Sequence, residues 1–147
     1  MISFYTFIFF VHIIGLVIGV GAATVKLVLL IKSKYDYTIV PFYLKVSKPI
    51  TQLIIFGMVL LTISGIGFII EGYPLTTQLT IKLIFVALLW IIGPIIDNAI
   101  EPKFIKSAPE IGHQPTQEFI EVQKKHLILE VFATAFFYIV IGVWIFG

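Results

Sequence analysis

The stretch SFYTFIFFVHIIGLVIGVGAATVKLVLLI, residues 3–31, decides the fold of this chain. It is apolar over more than the roughly 20 residues that an α-helix needs to cross a bilayer. At about 100° per residue, one line down such a helix holds small and ionisable residues: His12, Gly15, Gly19, Ala22 and Lys26. Ionisable side chains are costly in hydrocarbon and usually face the protein interior. The stretch therefore predicts a membrane helix with an inward-facing polar stripe.

The composition extends this prediction to the whole chain. Of its 147 residues, 59% are hydrophobic and 12% are charged, whereas a soluble domain carries about 25% charge. The short connections between apolar stretches favour an all-α, antiparallel up-down four-helix bundle. We expect residues 1–147 to form a single transmembrane domain. Ser47 and Pro49 mark the predicted start of the second helix. The four predicted membrane helices lie near residues 3–31, 48–70, 78–100 and 122–146.

The lysines predict how the chain is oriented. All ten basic residues are lysine, and eight of them flank the first and third connections. Because lysine-rich loops stay in the cytoplasm, we expect a multi-pass protein of the cell (inner) membrane with both termini outside. The first apolar stretch is too long for the core of a signal peptide and has no basic residue before it, which predicts a retained helix. The eight lysines are Lys32, Lys34, Lys45, Lys48, Lys103, Lys106, Lys124 and Lys125.

The expected partners follow from the same composition. The formal net charge is +2, which gives no case for nucleic acid binding. We expect the chain to contact the lipid bilayer. Because four helices make a thin bundle, we also consider that the chain belongs to a homo-oligomer or to a larger membrane complex. The chain has no cysteine, so disulfides, iron–sulfur clusters and thiolate ligands are excluded.

A group of ionisable residues is expected toward the cytoplasmic side of the bundle: Lys26, Asp97, His126 and Glu130. An unpaired buried charge is costly, so we expect Lys26 to pair with Glu130 or Asp97. Two interpretations stay open at this stage. The group is either a structural ion-pair network or a path for protons or ions.

His12 is the candidate metal ligand. A neutral imidazole inside a helical bundle suits the axial position of haem iron. Met58, about mid-helix on the polar face of the second helix, is the candidate second ligand, and ordinary packing is the alternative role for it. His12 as a lone axial ligand, or hydrogen-bonded to a carbonyl or a threonine, also remains open. The chain contains no zinc, EF-hand, P-loop, dinucleotide or catalytic-triad motif.

Three stretches carry a resemblance to a known group. FVHIIGLVIGVG (residues 10–21), LTISGIG (residues 61–67) and LTIKLIFV (residues 79–86) resemble the first three helices of small four-helix bacterial membrane proteins. That group includes the HemJ-type protoporphyrinogen oxidases and the membrane domain of CopD copper-resistance proteins. The resemblance implies haem b on His12 and a functional role for Lys82, whose ammonium would hold a haem propionate.

The leading hypothesis is therefore a small haem b-binding redox protein of the membrane, with His12, Met58 and Lys82 around the cofactor. Two alternatives belong to other classes of protein. One is a proton- or ion-conducting, transporter-like protein that uses the ionisable group as a relay. The other is a non-catalytic structural subunit of a larger membrane complex.

Overall fold

The structure is a computed structural model that describes residues 3–110 and 112–146, with the backbone alone at residues 144–146. These residues form helices and connections without a strand. Four helical segments within them are long and apolar enough to cross a membrane, so the all-α prediction is confirmed. The helices are α1 (Phe4–Tyr35), α2 (Val40–Ile70), α3 (Thr77–Ile95), α4 (Glu101–Ser107) and α5 (Gln117–Phe146).

The connections differ from the predicted ones. A short 3₁₀ turn, Tyr37–Ile39, leads directly from α1 into α2, where Pro41 occupies the first helical turn. The second helix therefore begins eight residues before the predicted residue 48. Pro49 lies inside it, and the hydroxyl of Ser47 donates to the carbonyl of Leu44 instead of capping a helix start.

The third apolar segment is longer than predicted. A wide turn of the π type, Ile96–Ile100, joins α3 to α4, so that helical backbone runs from Thr77 to Ser107. It follows Pro94, which lacks the N–H that a regular helix requires. α5 begins at Gln117, five residues before the predicted position, and Thr116 caps it by accepting from the N–H of Phe119.

Three glycines bring α1 and α2 into close contact. A Cβ atom at Gly57 would lie 2.5 Å from the backbone nitrogen of Gly19, and one at Gly15 would lie 2.9 Å from the carbonyl oxygen of Gly57. The two backbones therefore touch, as small residues at four-residue spacing allow.

The helices pack in the spatial order α2, α1, α5, α3. Ser33 accepts from Gln123 near one end of the bundle, and Ile8 covers Gly67 near the other, so α1 runs antiparallel to both α2 and α5. The two lysine-rich connections therefore lie at one end of the bundle. The start of α1 and the end of α2 lie at the opposite end.

The outer surface of the bundle is apolar along its middle. One residue from each long segment illustrates this: Val17 is 63% exposed, Ile63 59%, Ile91 57% and Phe132 51%. Large side chains of this kind gain about 25 cal/mol for each Å² removed from water. A surface of this composition matches an apolar solvent better than an aqueous one.

The glycine contact between α1 and α2 can be tested by adding one methyl group. Gly57→Ala should lower the free energy of unfolding by about 1–3 kcal/mol, because the added carbon meets backbone that cannot yield. Gly65→Ala, on the same helix, is the matched control, since a Cβ there meets nothing within 4 Å. Unfolding of the detergent-solubilised protein by SDS, followed by circular dichroism, measures both. Equal stability of the two variants would contradict the close contact.

Candidate functional site

Lys26 lies at the centre of a buried polar cluster. The residue is 1% exposed, whereas Val25 and Val28 on the same stretch of helix are exposed and apolar. The ammonium nitrogen lies 2.8 Å from Thr51 Oγ1, 2.9 Å from Glu130 Oε1 and 3.0 Å from Glu101 Oε2. Asp97 Oδ1 is further away, at 3.8 Å. Four helical segments thus meet around one cation.

Two pairs at four-residue spacing supply the groups around Lys26. Asp97 and Glu101 come from the wide turn and the start of α4, and His126 and Glu130 come from α5. Side chains four residues apart lie on the same face of a helix. His126 Nε2 lies 3.4 Å from Glu130 Oε1, which links the histidine to the cluster through that carboxylate.

The cluster holds more negative than positive charge. With all three carboxylates ionised and His126 neutral, one ammonium faces three anions and two negative charges remain in excess. Burying an uncompensated charge is strongly unfavourable. The interior therefore favours a state in which protons or another cation supply the missing positive charge.

An aromatic layer closes the cluster toward the lysine-rich end. Tyr43, Phe104 and Phe119 are fully buried. The ring of His126 packs edge-on against Phe104, with 5.2 Å between centroids, and its Nε2 lies 3.5 Å from the hydroxyl of Tyr43. Because these side chains fill the end of the bundle, they restrict direct access from the aqueous phase on that side. Nδ1 of His126 has no hydrogen-bond partner within the described residues.

A cleft opens beside the cluster, between α2 and α3. It contains a cavity of about 120 Å³ that is open to the surface of the bundle. Its base carries Lys26, Asp97 and Glu130, and its walls are mostly apolar. At one side the indole N–H of Trp90 donates to Thr62 Oγ1 at 3.1 Å, which joins α3 to α2. The polar cluster is therefore reached from the side of the bundle, between two helices.

The residues expected to bind haem lie apart from the cluster. Nδ1 of His12 lies 2.9 Å from Ser64 Oγ, and its ring packs edge-on against Phe68. His12 is fourteen residues from Lys26 on the same helix, which is about 21 Å along the axis. Lys82 lies close enough to His12 to interact with it electrostatically.

Met58 does not join His12. It belongs to a core cluster with Val20, Leu89 and Phe137, and it lines the cleft. Ser64, the partner of His12, lies six residues further along α2, or about 9 Å along the axis. The structure thus separates the two residues that the sequence predicts as axial ligands.

The structure brings together all four residues of the predicted ionisable group and adds Thr51 and two further ionisable residues, Glu101 and Tyr43. The sequence predicts Glu101 at the end of a helix and Tyr43 in a connection. The signal for Glu101 was its four-residue spacing from Asp97, which repeats the spacing of His126 and Glu130. No comparable signal marked Tyr43, because its helix was expected to begin after it.

These features define a class: an all-helical bundle of membrane-length helices with a buried ionic cluster beside a lateral cleft. The chain matches no protein-family model, and no curated protein or solved structure is significantly similar to it. Within the described residues, no three histidine, aspartate or glutamate side chains are arranged to hold a metal ion. The function is therefore argued from the geometry of the site.

Removing the central cation should destabilise the bundle. Lys26→Met leaves three carboxylates without their ammonium, and breaking a buried ion pair in this way costs about 3–5 kcal/mol. Lys32→Met is the matched control, because Lys32 is exposed on the same helix and surface substitutions usually change stability by no more than about 0.5 kcal/mol. SDS-induced unfolding in detergent compares the two variants. A Lys26→Met protein as stable as the control would show that the cluster does not depend on this charge.

Proposed function

We propose that this chain is an integral membrane protein that moves protons, with the Lys26 cluster as the group that takes up and releases them. The observation that carries the proposal is the convergence of three carboxylates on one buried lysine. Ionisable residues at membrane depth are rare and often mark proton or ion pathways. A cluster with excess negative charge can accept protons with little rearrangement, because the neighbouring carboxylates disfavour full ionisation.

The apolar exterior and the lysine distribution support the membrane part of this proposal. We place both lysine-rich connections in the cytoplasm and both termini outside, in the inner membrane of the cell. Lys26 then lies about six residues, or roughly 9 Å, from the level of Lys32 at the cytoplasmic end. The cluster would sit just inside the cytoplasmic boundary of the hydrocarbon, where protons can reach it over a short distance.

Proton movement can be measured in liposomes that contain a pH-sensitive dye. The wild-type chain should dissipate an imposed pH gradient, and Glu130→Gln should reduce the rate to that of empty liposomes. Glu121→Gln is the matched control, because Glu121 is exposed on the same helix. Asp97→Asn is a second test variant, since the side chain of Asp97 is less buried than that of Glu130 and its substitution should disturb the fold less. Wild-type rates in both cluster variants would contradict the proposal.

Haem binding by His12 is a second proposal, and one contact favours it. Ser64 engages Nδ1 of His12 and orients the ring, which leaves Nε2 as the atom able to ligate iron. Met58 does not fit as a partner ligand, so His12 would be the protein ligand and Lys82 would lie near a propionate. Bound haem would supply one-electron redox chemistry. The sequence resemblance to the HemJ and CopD group supports this proposal as well.

An absorption spectrum of the purified protein tests haem binding directly. Protein expressed with added haem precursor should show a Soret band, and His12→Ala should remove it. His113→Ala is the matched control, because His113 lies in an exposed connection. A wild-type preparation without a Soret band, or a band that survives in His12→Ala, would refute haem ligation by His12.

A further inference from the structure

We propose that the cleft between α2 and α3 binds a lipophilic organic cation, with its apolar body between the helices and its charge against Asp97. This inference rests on the proposed function, because it names the class of compound that would occupy the cleft beside the proton-binding cluster. It depends on three features of the cleft: a partly exposed carboxylate, apolar walls and an opening toward the side of the bundle.

Asp97 is the carboxylate of the cluster that lies furthest from Lys26. The ammonium of Lys26 donates to Thr51 Oγ1 at 2.8 Å and to Glu101 Oε2 at 3.0 Å, and Glu130 Oε1 lies 2.9 Å from it as an ion pair. Asp97 lies beyond hydrogen-bonding distance at 3.8 Å, and no hydrogen bond to its side chain is seen within the described residues. Its side chain is 26% exposed, whereas that of Glu130 is 4% exposed. Asp97 therefore presents negative charge to the cleft.

The walls of the cleft suit an apolar body. They include Ile54, Met58, Leu89 and Phe137, together with the indole of Trp90. The cavity in the cleft is about 120 Å³, smaller than the roughly 300–1,000 Å³ of pockets that bury a small organic molecule, so part of a bound cation would lie in the open mouth of the cleft. An indole ring also attracts cations through its π face. The cleft thus offers apolar contact along most of its length and negative charge at one end.

The charge pattern argues against other small ligands. An anion would need Lys26, whose ammonium is already surrounded by Glu101 and Glu130. A bare metal cation would need several oxygen ligands at about 2.0–2.6 Å, and those two carboxylates are turned toward the lysine. A bulky organic cation needs a single anionic group and apolar walls, which is what the cleft supplies. Its position between two membrane-length helices would allow entry from the lipid phase.

The test uses two probes of similar size and opposite charge, tetraphenylphosphonium and tetraphenylborate. Equilibrium dialysis of the full chain in detergent should show saturable binding of tetraphenylphosphonium and much weaker binding of tetraphenylborate. Asp97→Asn should weaken phosphonium binding about tenfold or more, a loss typical of a partly exposed charge pair that anchors a ligand. Glu121→Gln, which removes an exposed carboxylate from α5, should leave binding unchanged.

A second variant acts on the shape of the cleft without changing its charge. Gly93 lines the cleft and has no atom within 4 Å of the place where a Cβ would lie. Gly93→Leu should therefore fold, and its side chain should weaken phosphonium binding by occupying the space. Size-exclusion chromatography checks that each variant elutes at the same volume as the wild type.

The possible outcomes separate this inference from the proposed function. Equal binding of the two probes, or full binding by Asp97→Asn, would overturn it even if proton movement is observed. Phosphonium binding that follows the expected pattern supports the binding site even if liposomes show no proton movement. A third outcome is that the wild type forms a dimer, that Gly93→Leu dissociates this dimer, and that the wild type binds no phosphonium. This outcome would assign the cleft to a helix of a second copy and overturn the inference.

Discussion

The ammonium group of Lys26 is buried, and much of the surrounding structure compensates its charge. Thr51, Glu101 and Glu130 surround it within 3.0 Å. These residues come from three different helices, so the charge of one side chain ties four segments of the bundle together. In a low-dielectric interior such contacts are strong, and the loss of any one of them leaves another group unpaired.

The close contact between α1 and α2 determines where empty space is left in the bundle. Gly15, Gly19 and Gly57 draw these two helices together until their backbones touch. The third segment packs mainly against α5, and Trp90 reaches across to Thr62. The cleft between α2 and α3 is therefore the result of uneven helix packing. It gives the polar cluster an opening at the side, while Tyr43, Phe104 and Phe119 fill the end.

The two proposals for function concern different halves of the molecule. The half with the lysine-rich connections holds the ionic cluster and the base of the cleft, where proton and cation chemistry can occur. The other half holds His12 with its partner Ser64, and Lys82 lies nearby. About 21 Å of α1 separates His12 from Lys26. The two sites share no residue, so a result at one of them does not decide the other.

The sequence by itself determined the class of fold. Long apolar stretches leave the backbone few alternatives to helices, because hydrogen bonds within each segment are the simplest way to satisfy its polar groups. The sequence also predicts which side chains avoid the outer surface of the bundle. Lys26 and Glu130 are costly to expose to an apolar solvent, and both are buried. Helix ends were less predictable: Pro49 resembled a helix start, yet Pro41 occupies the first turn of α2.

The tertiary structure alone decided which buried groups meet. A helical wheel gives the direction of a side chain, but it does not give the depth and rotation of one helix relative to the next. Met58 was expected beside His12, and the register of α1 against α2 places it about 9 Å away along the axis. Glu101 entered the cluster because the wide turn at Ile96–Ile100 continues the helical segment past Pro94. The tertiary structure also decides the cleft, because the cleft depends on distances between helices that no single stretch of sequence specifies.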